Sequence, residues 1–448
     1  MPLRTRHAPA AVHMIDYVAS AFDTFEERPF GEADSLVFSQ LAMVSMTELV
    51  APPPPSAESP DWRVRLQRLI RRAPGASPLS RGVPLPALLR AELYERMFCG
   101  FAVQQTKELL HAVAASPRFR EVRAAFAQEI LQEDPAEQFA AVTFVYKDRF
   151  SYVAFRGTDT SFTGWRENFS MAYRQPISGQ ADALRYLETV APLAPGSLLV
   201  GGHSKGGNLA VYAAAQCSTA LQDRIEAVYN HDGPGFLPRT LDPRGLAAIA
   251  NRVHKSVPTE SLVGMALDET SDFAVVRSAG HGVEQHGTFL WEIDPATGSL
   301  VRAQDLADSS RLWQHALARW VDARTPQEIE QVAEALFAAL QATGDEDVET
   351  LLSGGPQAVG LVVESVRGIT DEQRELLREA LGDLGGTAAH AWGSTVVSHV
   401  HQRAHTVAQS ASRVAGAVWE LATGTEEEKA RVREAHEERL RTRKETQG

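Results

Sequence analysis

The sequence contains little cysteine and no excess of basic charge. Only two of its 448 residues are cysteine, Cys99 and Cys217, which are too few for a disulfide framework or a four-cysteine metal site. Lysine and arginine total 44 against 57 acidic residues, and the net charge is −13. A protein that neutralises phosphates needs a basic face, so this acidity argues against a nucleic-acid partner.

Long apolar runs are also absent from the sequence. No stretch reaches eighteen uncharged apolar residues, so no transmembrane segment is expected. His13 and Asp16 interrupt the apolar residues near the N-terminus, so no secretory signal is expected either. These absences predict a cytoplasmic protein, and they leave open peripheral contact with a membrane surface.

The first third of the sequence has a helical pattern around a proline-rich linker. Apolar residues at helical spacing, from Leu36 to Val44, predict one helix. Four consecutive prolines within residues 51–60 exclude a helix and predict an extended linker. The pattern is helical again up to about residue 130. We therefore predict an N-terminal helical segment over residues 1–135.

The pattern changes at residue 139. Residues 139–146 and 152–155 are apolar and aromatic, and the polar turn between them predicts a hairpin. A strand at 197–201, a helix at 208–216 and a strand at 225–230 follow. This order predicts a parallel crossover and therefore an α/β sheet, with its core over residues 136–300.

The C-terminal third reads as helical. Thr325 and Glu328 have the spacing of a capping box, with Pro326 at the first helical position. Thr370 and Gln373 repeat this signature. Because strand patterns stop near residue 305, we predict a helical C-terminal region over residues 301–448.

The strongest chemical signal is Gly-His-Ser-Lys-Gly at residues 202–206, between a predicted strand and a predicted helix. In a G-x-S-x-G turn the serine sits in a sharp, strained conformation, and the flanking glycines avoid collisions. Ser204 is therefore the candidate nucleophile. The alternative is a glycine-rich turn with a purely structural role.

Three motifs follow one another in a family-specific order: Phe-Arg-Gly-Thr-Asp within residues 153–167, Gly-His-Ser-Lys-Gly-Gly within 202–210, and Asp-Gly-Pro-Gly-Phe at 232–236. Together they resemble bacterial lipase-like α/β hydrolases catalogued as a domain of unknown function, which are similar in turn to class 3 lipases. The resemblance covers roughly residues 20–345. It implies an α/β-hydrolase three-layer sandwich with helical N- and C-terminal extensions. It also implies a serine hydrolase that cleaves a carboxylic ester, such as a lipid or an acyl-glycerol.

A nucleophilic serine needs a histidine base, and α/β hydrolases carry serine, acid and histidine in that order. His286 follows the last predicted strand, where the resembling family carries a Gln-His pair, and it is the predicted base. His281, in a flexible Ala-Gly-His-Gly turn, is the alternative. His231 and His254 are the other histidines of this part of the chain.

Asp232 is the predicted acid, because it ends a predicted strand at the edge of the sheet where ligands bind in α/β folds. Class 3 lipases carry their acid later, in a D-x-V-P segment, and Lys255 stands at the comparable position here. Glu260 therefore remains an alternative acid, followed by Asp268 and Asp272. A turn-forming role is the structural alternative for Asp232.

The predicted oxyanion hole combines two donors. The first is the N–H of Lys205, directly after the nucleophile, and the second is the amide of Thr158 or Asp159, which the Thr158 hydroxyl can assist.

This chemistry needs no cofactor and no metal. His401 and His405 stand four residues apart, but no H-E-x-x-H motif or nearby cysteine accompanies them, so a solvated helix face is expected. The predicted partner is a small-molecule or lipid ester substrate, and the sequence does not indicate the oligomeric state. A catalytically silent scaffold that acts through its helical C-terminus is the alternative function.

Overall fold

The computed structural model describes residues 11–54, 82–98, 100–268 and 271–341, together with residues 376, 379, 380 and 382. Within these residues, contacts divide the chain into two compact units. The first unit consists of Met1–Asp159 with Arg174–Gln314, and the second of Thr160–Tyr173 with His315–Gly448.

An eight-stranded sheet forms the centre of the first unit. Its strands are β1 Val83–Pro84, β2 Arg123–Gln132, β3 Glu137–Tyr146, β4 Phe150–Phe155, β5 Ser197–His203, β6 Ile225–His231, β7 Val253–Pro258 and β8 Ala274–Val276. The strands lie side by side in chain order. The pairs from β1 to β4 are antiparallel, and those from β4 to β8 are parallel. The hairpin and the parallel crossover predicted from the sequence are both present. A separate two-stranded sheet pairs β9 Ile293–Asp294 with β10 Ser299–Leu300.

The helices of the described residues include short and long segments. They are α1 Met14–Ser20, α2 Glu32–Leu41, α3 Tyr94–Met97, α4 Val103–Ala115, α5 Phe162–Ser170, α6 Ser178–Val190, α7 Lys205–Gln216, α8 Thr219–Gln222, α9 Pro243–Ile249, α10 Asp308–Asp322 and α11 Pro326–Gln341. None of them is long and apolar enough to cross a bilayer.

Different helices cover the two faces of the sheet. On β4, Tyr152 and Ala154 belong to a hydrophobic cluster with residues of α1, α2 and α4. Val153 and Phe155 belong to a second cluster with residues of α6 and α7. Because successive side chains of a strand point to opposite faces, this division makes three layers with the sheet in the middle. The predicted α/β three-layer architecture is confirmed.

The sheet extends beyond the bounds predicted for the core. Both β1 and β2 precede residue 136 and belong to the same sheet, whereas the sequence pattern predicted a helical segment over residues 1–135. Strand β2 contains Ala125, Ala127 and Gln128, which favour helices, but it pairs with β3 from Arg123 to Gln132. This pairing outweighs a weak local preference.

In the second unit, α5 and α11 pack against each other. Arg166 and Glu334 form two hydrogen bonds, at 2.9 Å between Nε and Oε1 and 2.6 Å between Nη2 and Oε2. The rings of Phe169 and Phe337 meet edge to face, with centroids 5.4 Å apart. An ion pair and an aromatic contact thus join the two helices.

The capping box at the start of α11 is confirmed. The Thr325 N–H donates to Glu328 Oε2 at 2.7 Å, and the Glu328 N–H donates to Thr325 Oγ1 at 3.3 Å. The second predicted box, at Thr370 and Gln373, lies outside the described residues, as do His401 and His405.

A buried ion pair joins α2 to the segment that precedes β2. Arg118 and Asp34 are both fully buried, and their hydrogen bonds are 2.7 Å from Nε to Oδ1 and 2.6 Å from Nη2 to Oδ2. The guanidinium also donates to backbone carbonyls, including that of Pro29, and the Tyr17 hydroxyl donates to Asp34 Oδ1. A buried charge is tolerated only when its partners are provided in this way.

We expect Arg118→Met to lower the free energy of unfolding by about 3–5 kcal/mol, because Asp34 would remain as an unpaired buried charge. Urea unfolding measures the change. Arg96→Met is the matched control: it removes the exposed partner of Glu48, and exposed pairs contribute little. Equal small changes in the two variants would contradict this account of the buried pair.

Candidate active site

The turn between β5 and α7 places Ser204 at the N-terminus of a helix. Its backbone angles are φ 58° and ψ −131°, a combination that residues other than glycine rarely adopt. The Ser204 N–H donates to the carbonyl of His231 at 2.9 Å, which ties the turn to the end of β6. This is the strand–turn–helix geometry that presents a nucleophilic serine.

The glycines that flank Ser204 permit a close approach of three backbone segments. A Cβ at Gly206 would lie 2.2 Å from the carbonyl oxygen of Phe155, and one at Gly202 would lie 2.4 Å from the carbonyl carbon of Gly206. Side chains at these positions would push α7 away from β4 and β5. The spacing of the motif therefore has a steric cause.

Asp232 and His286 are in direct contact. Asp232 follows β6, is fully buried and has φ 52°, and its Oδ2 lies 2.6 Å from His286 Nδ1. His286 ends the 3₁₀ turn Gly282–His286, and 23% of its side chain is exposed. Because an ionised carboxylate only accepts hydrogen bonds, Nδ1 carries the proton, and Nε2 is left as the basic nitrogen.

His203 brings His286 to the serine turn. The two rings pack with centroids 4.4 Å apart, and His203 Nε2 donates to the carbonyl oxygen of His286 at 2.9 Å. Because His203 directly precedes Ser204, this contact holds the His286 segment beside the elbow. No hydrogen bond joins Ser204 Oγ to His286 within the described part of the chain. Catalytic hydrogen bonds are often long before substrate binds.

The segment after β4 lies against the same serine. A Cβ at Gly157 would be 3.4 Å from Ser204 Cβ. The next residue, Thr158, has a buried Oγ1 that finds no hydrogen-bond partner among the residues described. Burying a hydroxyl without a partner costs free energy, so such an atom marks a place where a ligand can bind. Asp159 follows and is half-buried.

Lys205 begins α7, and its side chain is fully buried. Its Nζ donates to the carbonyl oxygen of Gln138 at 2.6 Å and to Gln138 Oε1 at 2.7 Å. The Lys205 backbone N–H is the first amide of the helix that follows the serine. The side chain thus anchors the elbow to β3, and the backbone is the part available for the predicted oxyanion role.

The alternative histidine and the first alternative acid have other partners. The His281 side chain is 93% exposed, and its Nδ1 lies 4.0 Å from Glu260 Oε1. Glu260 Oε2 accepts a hydrogen bond from the Gly282 N–H at 2.6 Å. Glu260 therefore contacts the turn that carries His286 rather than the His286 ring.

Lys255 and Asp268 form a buried ion pair, and Lys255 Nζ also donates to the carbonyl of Gly264 at 2.6 Å. Burial raises the pKa of Asp268, but the Lys255 ammonium and hydrogen bonds outweigh it and hold this pKa below its ordinary value. Asp268 is thus ionised and already paired, and Asp272 is exposed. Lys255, which stands at the position compared with the class 3 lipase acid in the sequence, is thus one half of a buried ion pair.

His231 belongs to a buried polar network that the sequence patterns did not indicate. Its Nε2 lies 2.8 Å from Ser35 Oγ, which lies 2.9 Å from the Tyr152 hydroxyl. Burial lowers the pKa of His231 from 6.5 to about 3. The His231 side chain is therefore neutral, and it contacts α2, whereas the His231 carbonyl accepts from the Ser204 N–H. Ser35 precedes it by 196 residues, which no local motif could connect.

The sheet order, the helix layers and the strand–turn–helix elbow define an α/β-hydrolase fold. The chain belongs to the Mbeg1-like family, whose sequence profile matches residues 113–338, just over half of its length. Among solved structures it is similar to a fungal lipase in complex with an inhibitor, at 16% identity and a TM-score of 0.27. That match covers 38% of this chain and 70% of the lipase chain. The comparison with curated proteins gave no match.

We expect the free energy of unfolding to fall as the pH is lowered from about 6.5 towards about 3. His231 has a pKa of about 3 when folded, so the unfolded chain takes up its proton first and is stabilised by it. Burial also lowers the pKa of His203, which acts in the same direction. Urea unfolding over a pH series should show a smaller slope for His231→Gln. A wild-type slope in His231→Gln would contradict this origin.

Proposed function

We propose that the protein is a serine hydrolase that cleaves a carboxylic ester through an acyl-serine intermediate. Ser204 is the nucleophile, His286 the general base and Asp232 the residue that orients the histidine. The observation that carries this proposal is the contact between Asp232 Oδ2 and His286 Nδ1, which lie 2.6 Å apart. His203 holds His286 beside the strained serine turn.

In the first half of the reaction, Ser204 Oγ attacks the carbonyl carbon of the ester while His286 Nε2 takes the hydroxyl proton. The tetrahedral intermediate collapses, and the departing alcohol takes the proton from His286. In the second half, His286 takes a proton from water, which attacks the acyl-serine. The carboxylic acid then leaves, and Ser204 regains its proton.

Asp232 acts by holding one form of the imidazole. Its buried carboxylate accepts the Nδ1 proton of His286, which keeps Nε2 basic in the resting enzyme. When Nε2 takes the serine proton, the same carboxylate stabilises the imidazolium. The low exposure of Asp232 strengthens this interaction, because little water competes with it.

The proposed oxyanion hole stabilises the negative oxygen of the tetrahedral intermediate. The Lys205 N–H lies at the start of α7, where the helix dipole is positive. Thr158 supplies a second donor through its amide or its buried hydroxyl, and Asp159 offers the next amide. A hydroxyl that is buried without a partner supports this role for Thr158.

We propose a lipid or acyl-glycerol as the ester, following the resemblance of the sequence motifs. Val283, on the same 3₁₀ turn as His286, exposes 65% of its surface and offers an apolar contact beside the base. A catalytically silent scaffold is the alternative function. The paired Asp232 and His286 favour the enzyme, because a scaffold has no need to hold this pair beside a strained serine.

We expect a serine-reactive fluorophosphonate to label the wild-type protein, and Ser204→Ala to abolish the labelling. His286→Ala should slow turnover of a short-chain nitrophenyl ester to an extent similar to Ser204→Ala, because triad members act as a unit. Ser20→Ala, which changes an exposed serine on α1, is the control and should label normally. Absence of both labelling and turnover in the wild type would favour the scaffold.

A second experiment separates the two candidate acids. Asp232→Asn should fold normally yet lose about a thousandfold or more in turnover, because an amide cannot hold the same histidine tautomer. Glu260→Gln should lose little, because its amide oxygen can still accept from the Gly282 N–H. If Asp232 only formed a turn, asparagine would replace it with little loss. Equal, mild effects would show that the acid lies elsewhere.

A further inference from the structure

The turn that follows β7 forms hydrogen bonds with both the acid and the histidine segment of the site. Ser261 Oγ donates to Asp232 Oδ1 at 2.5 Å. The Glu260 carboxylate accepts from the Gly282 N–H at 2.6 Å, and the Glu260 N–H donates to Gln285 Oε1 at 2.9 Å. Two adjacent residues of one turn therefore contact Asp232 and the turn that carries His286.

The Ser261 contact gives the second oxygen of the Asp232 carboxylate a hydrogen-bond partner. Oδ2 is bound to His286, and Oδ1 is bound to Ser261, while both Asp232 and Ser261 are buried. The side-chain torsion of a carboxylate is soft, so one hydrogen bond alone leaves it free to rotate. The second bond fixes the plane of the carboxylate and therefore the direction in which Oδ2 faces the imidazole.

Gly264 of the same turn packs directly against this carboxylate. A Cβ at Gly264 would lie 2.2 Å from Asp232 Oδ1 and 3.0 Å from Ser261 Oγ. Lys255 holds the turn in place, because its ammonium binds the Gly264 carbonyl at 2.6 Å and pairs with Asp268. The carboxylate is thus enclosed by a turn that is itself anchored to β7.

We propose that Ser261 is a positioning residue that orients the Asp232 carboxylate toward His286. The inference rests on the proposed function, because it gives Ser261 a role in the same triad. Ser261 acts through Asp232 and forms no hydrogen bond with the serine turn in the described residues.

The first readout is kinetic. Ser261→Ala should lower kcat by about 10–100-fold and leave KM unchanged, because a hydrogen bond to a charged group is lost and no substrate contact is removed. The kcat value is expressed per active site titrated with fluorophosphonate, so that a misfolded fraction of the sample does not lower it. Ser261→Thr keeps the hydroxyl and should restore most of kcat.

Ser310→Ala is the matched control. Ser310 is fully buried, and its Oγ has no hydrogen-bond partner among the residues that the structure describes. The same substitution at this position should leave kcat unchanged. A Ser261→Ala variant that loses thermal stability but keeps wild-type kcat per titrated site would overturn the proposal, because the hydroxyl would then be only structural.

The second readout does not depend on activity. The downfield proton resonance of His286 Nδ1–H reports its hydrogen bond to Asp232, and it should shift or broaden in Ser261→Ala and return in Ser261→Thr. An unmoved resonance would overturn the proposal. If the wild type shows neither labelling nor turnover, the proposed function fails. The His286 resonance would still decide whether Ser261 orients the Asp232–His286 pair.

Discussion

The backbone of Ser204 is held in a conformation that costs an L-residue on the order of 1–3 kcal/mol. Neighbouring segments offset this cost: the Ser204 N–H is bound to the end of β6, and α7 starts at the next residue. Gly206 lies so close to the Phe155 carbonyl that a Cβ there would collide with it. The close packing of α7 on the sheet is therefore a condition for the site to exist.

The parallel register of β5 and β6 brings the remaining groups to the same edge. His203 pairs with His231, so Ser204 and Asp232 follow at equivalent positions on neighbouring strands. Asp232 also has a positive φ, of 52°, which turns the chain away directly after its strand. Side chains at the carboxyl ends of parallel strands meet at one edge, which is where ligands bind in such sheets.

Local patterns were enough to predict the hairpin, the crossover from β5 to β6 and the candidate residues Ser204, Asp232 and His286. The serine was predicted from its flanking glycines and the aspartate from a strand end. The histidine was predicted from its place after the last predicted strand and from the Gln-His pair of the resembling family. The long-range contacts that support these candidate residues could not be predicted from the sequence in the same way. Arg118 meets Asp34 across 84 positions, and Ser261 meets Asp232 across 29. No spacing rule connects such pairs.

Strand β2 was missed for the same reason, because its partner β3 rather than its composition determines its conformation.

The polar side chains of α2 find their partners late in the chain. Ser35 contacts His231, Gln40 contacts Thr288, and Glu32 contacts the backbone of Leu300, at separations of 196, 248 and 268 residues. During synthesis at about 5–20 residues per second, α2 leaves the ribosome roughly 10–50 s before the last of these partners. Strands β4 and β5, which contribute Tyr152 and Leu199 to the same hydrophobic cluster as α2, emerge within that interval. The polar contacts that anchor α2 can therefore be completed only after the segment beyond His286 has emerged.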